Sequence, residues 1–209
     1  MAATIPLLQA RDLECLRGEC LLFSGLSFGV EAGQVLQIEG ANGSGKTSLL
    51  RILAGLSRPS EGDIFWRGEN VLDRRSTFFS EAAYLGHHLG LKGELTVSEN
   101  LRFGLALNGH HLEPLPLLAV LDRVGLTERA DVPVRALSAG QRQRVALARL
   151  LASSARFWIL DEPFTALDVG GVALVCGLLE AHAANGGLAV LTSHQAVELR
   201  GGLVTLTLG

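Results

Sequence analysis

Residues 40–47 read Gly40-Ala41-Asn42-Gly43-Ser44-Gly45-Lys46-Thr47 and match the pattern G-x-x-x-x-G-K-[ST] of a phosphate-binding loop. The run Val35–Glu39 before them is strand-like, and apolar side chains at helical spacing follow them (Leu49, Ile52, Leu53 and Leu56). This strand–loop–helix order suits the motif, because glycines let backbone N–H groups turn toward phosphate oxygens and a helix N-terminus favours anions. A glycine-rich turn without a ligand is the alternative interpretation of the loop alone.

The lysine of this loop stands out against the composition of the chain. Only two of the 18 basic residues are lysines, yet one of them is Lys46. A compact ammonium suits the β- and γ-phosphates of a nucleotide better than a broad guanidinium does. We therefore predict that residues 40–47, with Ser48 directly after them, bind the phosphates of a nucleoside triphosphate.

Length and composition predict one globular domain over residues 1–209. Hydrophobic residues make up 48% of the chain and charged residues 19%. The mean hydropathy of +0.32 is high and indicates a surface that meets an apolar partner, although no run of about 18 apolar residues predicts a membrane span. A net charge of −3 without a basic run argues against a nucleic-acid partner.

The termini and the cysteines favour a reducing compartment. Residues 1–6 lack the charged and apolar regions of a signal peptide, so we expect none. The three cysteines, Cys15, Cys20 and Cys176, form no C-x-x-C pair and fit reduced thiols.

The remaining patterns predict an α/β core interrupted by a mostly helical insertion. The expected core with its β subdomain covers about 1–84 and 135–209, and the helical subdomain covers about 85–134. Residues 157–160 are apolar without alternation, as in a parallel sheet covered on both faces. The predicted elements are a hairpin over 7–30, a strand at 63–67, helices starting at 96 and 115, a helix at 140–151, a helix at 169–184, and strands at 188–192 and 203–208.

Two acidic residues follow the apolar strand. Asp161 and Glu162 should lie at the carboxyl edge of the sheet, where open α/β sheets bind ligands. Asp161 is a candidate to hold Mg²⁺ together with the Thr47 hydroxyl, and Glu162 to activate the water that attacks the γ-phosphate. The alternative is that both residues only cap the next helix.

Three further motifs resemble those of ATP-binding-cassette (ABC) ATPases: Leu137-Ser138-Ala139-Gly140-Gln141 resembles the signature, Thr165-Ala166-Leu167-Asp168 the D-loop, and His194 the switch histidine. The family usually has glycine where Ala139 stands. The resemblance covers the whole chain and implies a P-loop NTPase fold with an N-terminal antiparallel β subdomain and an inserted α-helical subdomain. It implies catalytic roles for Glu162 and His194.

The same resemblance implies a homodimer. Residues Ser138, Ala139, Gly140 and Gln141, with Asp168, would serve the ATP bound by a second copy, because each chain carries one phosphate-binding loop and one signature. We therefore expect two ATP molecules at a head-to-tail interface, which ATP closes and hydrolysis reopens.

Two positions depart from the family pattern. The aromatic residue that usually stacks on adenine falls near Arg17, whose guanidinium can also stack on a base or can simply be a solvated charge. The glutamine that usually touches Mg²⁺ is replaced by His87, whose neutral imidazole can accept a hydrogen bond from a metal-bound water.

Local runs such as Tyr84–His87, Glu99–Leu101 and Thr192–Gln195 resemble one branch of the family, the ATP-binding subunits of haem exporters in bacterial cytochrome c maturation. That resemblance implies an integral-membrane permease and further membrane subunits as partners. It also implies a peripheral location on the cytoplasmic face of the inner membrane. Direct haem ligation is not expected of the pairs His87-His88 and His110-His111 or of the cysteines, because none forms C-x-x-C-H.

Other functions stay open at this point. A soluble ABC ATPase of translation or DNA repair usually joins two cassettes or carries long inserts. A GTPase would show the pattern Asn-Lys-x-Asp, which is absent. A transporter for another cargo shares every motif named above. We expect the surface that contacts the membrane partner at about residues 87–100, with Leu89, Leu91 and Leu95 exposed, unless these leucines pack within the insertion.

Overall fold

This computed structural model describes residues 6–107, 114–194 and 197–209. These residues contain nine strands and six α-helices, joined by turns and short 3-10 helices. The strands are β1 (Leu8–Arg17), β2 (Cys20–Val30), β3 (Val35–Gly40), β4 (Glu61–Trp66), β5 (Glu69–Asn70), β6 (Ala82–Leu85), β7 (Phe157–Asp161), β8 (Leu188–Thr192) and β9 (Leu203–Leu208). The helices are α1 (Lys46–Leu53), α2 (Arg75–Glu81), α3 (Val97–Ala106), α4 (Pro114–Arg123), α5 (Ala139–Ala152) and α6 (Val169–Ala184).

A five-stranded parallel sheet in the order β6-β7-β8-β3-β9 forms the centre of the molecule. All residues of β7 and β8 are buried, because helices cover the sheet and leave no polar face. Three neighbouring strands, β7, β8 and β3, end at the same edge. Their carboxyl ends therefore bring Asp161, Thr192 and the loop after Gly40 together.

A second, antiparallel sheet in the order β2-β1-β4-β5 contains the predicted hairpin. Its inner face and α1 share one hydrophobic core with the parallel sheet. At the centre of this core the ring of Trp66 stacks on that of Phe157, with centroids 5.1 Å apart. This packing places the hairpin beside the loop that starts α1.

The insertion carries α3 and α4, which pack on α5, and residues of α6 belong to the same second core. Thr96 caps α3: its hydroxyl accepts from the Glu99 N–H, and the Glu99 carboxylate accepts from the Thr96 N–H. None of the helices among the described residues has both the length and the apolar character of a membrane span.

The predicted fold class is confirmed, with a few differences in detail. The short helix α2 was not predicted from the sequence. Leu56 does not belong to the buried face of α1, because the helix ends before Ala54, Gly55 turns the chain with φ +67°, and Leu56 is half exposed. The boundaries at about residues 84 and 134 between core and helical subdomain stay a prediction.

Candidate phosphate and carboxylate site

The loop between β3 and α1 has a backbone that only glycine allows at two points. Gly40 has φ +149°, and a Cβ there would lie 2.6 Å from the Leu208 carbonyl oxygen. Gly45 has φ +96°, and its Cβ would lie 3.1 Å from Leu22 and 3.2 Å from Phe23 of the hairpin. The loop is thus held between β9 on one side and β2 on the other.

Two polar groups of this loop have contacts that suit an anionic ligand. The Lys46 ammonium donates to the carbonyl oxygens of Gly40, at 2.7 Å, and Ala41, at 2.9 Å, so it lies across the loop. The Ser44 hydroxyl is buried and has no hydrogen-bond partner. A buried hydroxyl without a partner is costly, and a phosphate oxygen would satisfy it.

The carboxyl edge of β7 faces the start of α1. Asp161 is 6% exposed, and its Oδ1 lies 3.4 Å from the Thr47 hydroxyl and 2.9 Å from the Thr192 hydroxyl, both of which donate to it. The structure thus brings together Thr47 and Asp161, two of the three residues predicted at the metal site. Hydroxyl and carboxylate oxygens are the donors that Mg²⁺ prefers, so these residues fit that ion.

Glu162 adopts a left-handed backbone, with φ +53°, directly after the strand. One carboxylate oxygen accepts from the His194 N–H at 3.2 Å, and the other lies 3.5 Å from the His194 Nε2. The two predicted catalytic residues are therefore in contact. The neighbouring Tyr84 has its phenol pKa raised, first by burial and then by the negative charge of Asp161.

These groups line one cavity of about 320 Å³. Its lining includes most of the predicted site residues, namely Arg17, Asn42, Gly43, Gly45, Lys46, Thr47, Ser48, His87, Asp161, Glu162 and His194. Gly40, Ala41 and Ser44 shape the loop behind this lining. Sequence reasoning assigned no site role to two lining residues, Leu22 and Thr192: Leu22 belongs to no recognised motif, and the run Thr192–Gln195 was noted only as a family resemblance.

The hairpin supplies the end of the cavity away from the carboxylates. Arg17 pairs with Cys20 beside the turn and is exposed, while Leu22 is half-buried next to Gly45. Burial raises the pKa of the Cys15 thiol, and the Ser48 hydroxyl and the Arg17 charge partly offset this shift. Arg17 lines the same cavity as the start of α1.

His87 is exposed on the loop after β6 and also lines the cavity. Its ring meets that of His88 edge to face, with centroids 5.5 Å apart. His110 and His111, also considered as a pair above, lie outside the described residues.

The residues of the predicted signature begin α5 in a second location. The Ser138 hydroxyl accepts from the Gln141 N–H at 3.1 Å, and the Ser138 N–H donates to the Gln141 side chain at 3.0 Å. A Cβ on Gly140 would lie 2.8 Å from the Ala166 carbonyl oxygen, which leaves room for glycine alone. Ala139 forms the first residue of the helix.

The signature lines a separate surface depression of about 470 Å³. Asp168 shares this depression and caps α6, since its Oδ1 accepts from the Gly171 N–H at 2.7 Å. The same oxygen lies 3.4 Å from an Arg144 nitrogen. This depression has no lining residue in common with the cavity of the phosphate-binding loop.

A comparison with protein families decides the identity of this arrangement. The sequence profile described as ABC transporter matches residues 23–165. The chain belongs to the ABC transporter family. It is an ABC ATPase, as its motifs predicted, and such a cassette binds and hydrolyses ATP.

Individual relatives agree with the family assignment. The cassette is 56% identical over 199 residues to the cytochrome c biogenesis ATP-binding export protein CcmA of Methylococcus capsulatus, covering 95% of this chain and 96% of that protein. It is 50% identical to the protein of the same name from Nitrosococcus oceani, covering 93% and 88%. A putative ABC transporter ATP-binding protein from Pyrococcus furiosus has the same fold, with a TM-score of 0.84, 23% identity and 96% coverage of both chains.

One expectation about the surface of the cassette is wrong. Leu89, Leu91 and Leu95 are half-buried rather than exposed, and Leu89 and Leu91 pack against the core of α3, α4 and α5. The exposed apolar side chains nearby are Phe79, Phe103 and Leu107.

Proposed function

We propose that this cassette is the ATP-hydrolysing subunit of a transporter complex in bacterial cytochrome c maturation, with haem as the exported cargo. The observation that carries the proposal is the identity of 56% and 50% to relatives whose names specify cytochrome c biogenesis and export. That identity extends over nearly the whole length of these proteins. The alternatives to this proposal are a transporter ATPase for another cargo and a soluble ABC ATPase.

The phosphate-binding loop and the carboxylates divide the chemistry between them. The Lys46 ammonium, which now lies across the loop, would turn to the β- and γ-phosphates, and Ser44 would donate to a phosphate oxygen. Thr47 and Asp161 would hold Mg²⁺, which supplies charge neutralisation on the phosphates. Glu162 would orient and activate the attacking water, because its carboxylate stands at the same edge of the sheet.

Two histidines and one arginine complete the proposed ATP site. The His194 backbone N–H donates to one Glu162 carboxylate oxygen and the His194 Nε2 lies 3.5 Å from the other, so His194 would fix this group and sense the γ-phosphate. His87 would accept a hydrogen bond from a metal-bound water, and Arg17 would stack on the adenine base. All three line the cavity, which supports these roles.

The proposed active form is a homodimer. The signature residues Ser138, Ala139, Gly140 and Gln141 and the D-loop Asp168 line a depression apart from the ATP cavity of their own chain. The start of α5 offers a helix dipole that favours an anion. A second copy arranged head to tail would present this depression to the γ-phosphate.

The partner of the dimer is proposed to be an integral-membrane permease, with further membrane subunits. A groove of about 500 Å³ between α2, β6, α3 and α5 would receive a short helix of the permease. Phe79 and Leu107 stand at this groove with their apolar side chains exposed. In this proposed complex the cassette would lie peripherally on the cytoplasmic face of the inner membrane.

Co-purification tests the complex and its cargo together. We expect the tagged full chain, extracted in detergent from membranes of a bacterium that makes c-type cytochromes, to bring integral-membrane subunits and bound haem with it. Recovery of a permease without bound haem would indicate that the cargo is another compound. Recovery of the cassette from the soluble fraction alone would contradict the transporter proposal.

Two matched variants test the groove. Leu107→Glu should lose the membrane subunit and leave basal ATPase intact, because Leu107 is 71% exposed at the groove and makes little contact with the core. Leu118→Glu, a charge of the same kind at an exposed position on α4 outside the groove, should retain the subunit.

A further inference from the structure

The Thr192 hydroxyl lies between the two carboxylate residues of the ATP site. Thr192 has no exposed surface. Its Oγ1 accepts from the Glu162 N–H at 3.0 Å and donates to the Asp161 Oδ1 at 2.9 Å. We propose that Thr192 is a positioning residue for ATP hydrolysis, which holds the metal-binding carboxylate and the backbone of the water-activating glutamate through one hydroxyl. The proposal rests on the roles assigned above to Asp161 and Glu162.

The hydroxyl acts as donor in one of these contacts and as acceptor in the other. Its single proton goes to Asp161, and one of its two lone pairs accepts the N–H of Glu162. Both contacts follow from the sheet register, in which Asp161 of β7 stands opposite Thr192 of β8. Neighbouring residues of the same strands, such as Val190 opposite Ile159, are apolar and make no such contact.

The backbone conformation of Glu162 requires a stabilising contact from another part of the chain. Its φ of +53° is a left-handed conformation that a residue with a Cβ adopts at a cost. The bond from its N–H to Thr192 fixes the peptide between Asp161 and Glu162 and so fixes the direction in which the Glu162 side chain leaves the strand. That side chain then reaches the His194 N–H at 3.2 Å.

Asp161 receives a second restraint from the same group. Thr47 and Thr192 both donate to its Oδ1, but the Thr192 contact is shorter, 2.9 Å against 3.4 Å, and fully buried. Thr192 thus keeps the carboxylate oriented when the Thr47 hydroxyl turns to a ligand. Valine has the shape of threonine without the hydroxyl, so Thr192→Val removes both contacts and leaves Asp161 and the Glu162 N–H short of a partner.

Steady-state ATPase assays on the full chain test this role. We expect Thr192→Val to lower kcat by about 10- to 100-fold, the loss typical of a hydrogen bond to a charged group, with the KM for ATP changed less than about threefold. Thr192→Ser should restore kcat to near the wild-type value. Val190→Ala, a core truncation on the same strand, should lower the melting temperature without lowering kcat.

A second pair of variants separates the hydroxyl from packing. Thr192→Ser and Thr192→Ala both lack the methyl group and differ by the oxygen alone, so the serine variant should be at least about tenfold faster. Hydrogen exchange of the Glu162 amide, measured without nucleotide, should be accelerated in the alanine variant and protected in the serine variant. Equal kcat in serine and alanine variants, or equal protection of this amide, would overturn the proposal.

Discussion

The residues of the proposed ATP site differ in how readily sequence reasoning finds them. Thr47 and Asp161 follow from local motifs, because each motif contains the strand end or helix start that positions the side chain. Thr192 does not, since its contact with Asp161 depends on β7 and β8 being neighbours in the sheet. Leu91 was misplaced for the same reason: its burial depends on α3, α4 and α5 packing together.

At this scale Glu162→Gln should separate ATP binding from hydrolysis. The amide keeps the size of the side chain but cannot take a proton from water, so hydrolysis should fall by about 10²- to 10⁴-fold while ATP still binds. The closed dimer should then accumulate, visible as a doubled mass in light scattering with ATP and Mg²⁺. Glu69→Gln, which changes an exposed carboxylate paired with Arg74 at 3.5 Å, is the control.

A Glu162→Gln protein that stays monomeric under these conditions would contradict the dimer. Rapid ATP hydrolysis by the same variant would instead show that Glu162 does not activate the attacking water.

Elements with their own end signals were predictable. Helices α3 and α5 carry reciprocal caps at Thr96 and Ser138, and the bounds of α6 and β8 agree with the apolar runs that predicted them. Helix α2 was missed because it has seven residues and one buried side chain, Phe78. Phe78 contacts Trp66 and Phe157, which come from distant parts of the chain, so tertiary packing supports this helix.

We expect the contact between α6 and β7 to make stability depend on pH. His182 of α6 stacks on Trp158, with ring centroids 3.8 Å apart, and its Nε2 lies 3.1 Å from the Arg156 carbonyl oxygen. Burial lowers the pKa of His182, although the carbonyl contacts act in the opposite direction. The folded protein therefore binds this proton more weakly than the unfolded chain does.

The sign of the effect follows from linkage. Neutral His182 contributes its full stabilisation of the folded state above the unfolded histidine pKa of about 6.5. This contribution is lost progressively as the pH falls from that value to the lowered pKa of His182 in the folded protein. His182→Gln should flatten this part of the curve of unfolding free energy against pH, measured by urea denaturation. His88→Gln, on the surface, should keep the wild-type slope, and a slope unchanged by His182→Gln would contradict the assignment.

Within the described residues, the proposed nucleotide cavity and the signature depression share no lining residue and lie on separate surfaces. The family and the α/β architecture were predictable, because motifs over the length of the chain agreed with one another. The two surfaces could be assigned to different copies only by resemblance. The residues of the two surfaces do not by themselves indicate whether both surfaces bind the same ATP molecule or two different ones.

Mixed dimers test that assignment. Lys46→Ala and Ser138→Arg should each be inactive alone, since the first removes the phosphate ligand and the second blocks the signature depression. In a head-to-tail dimer of one copy of each, both changes fall in the same site and the other site is intact. In an equal mixture about half of the dimers contain one copy of each variant, and each of these dimers has one intact site of two. ATPase activity should therefore recover to about a quarter of the wild-type value. A mixture as inactive as its components would contradict the shared sites.

The position of β3 between β8 and β9 has a consequence for biosynthesis. The strand that leads into the phosphate-binding loop, Val35–Gly40, is made well before both of its neighbours, Leu188–Thr192 and Leu203–Leu208. A nascent chain cannot complete this pairing until residues 203–208 have left the ribosome, because such non-local contacts need both partners. We therefore expect ATP to stabilise the growing polypeptide by binding only after that point.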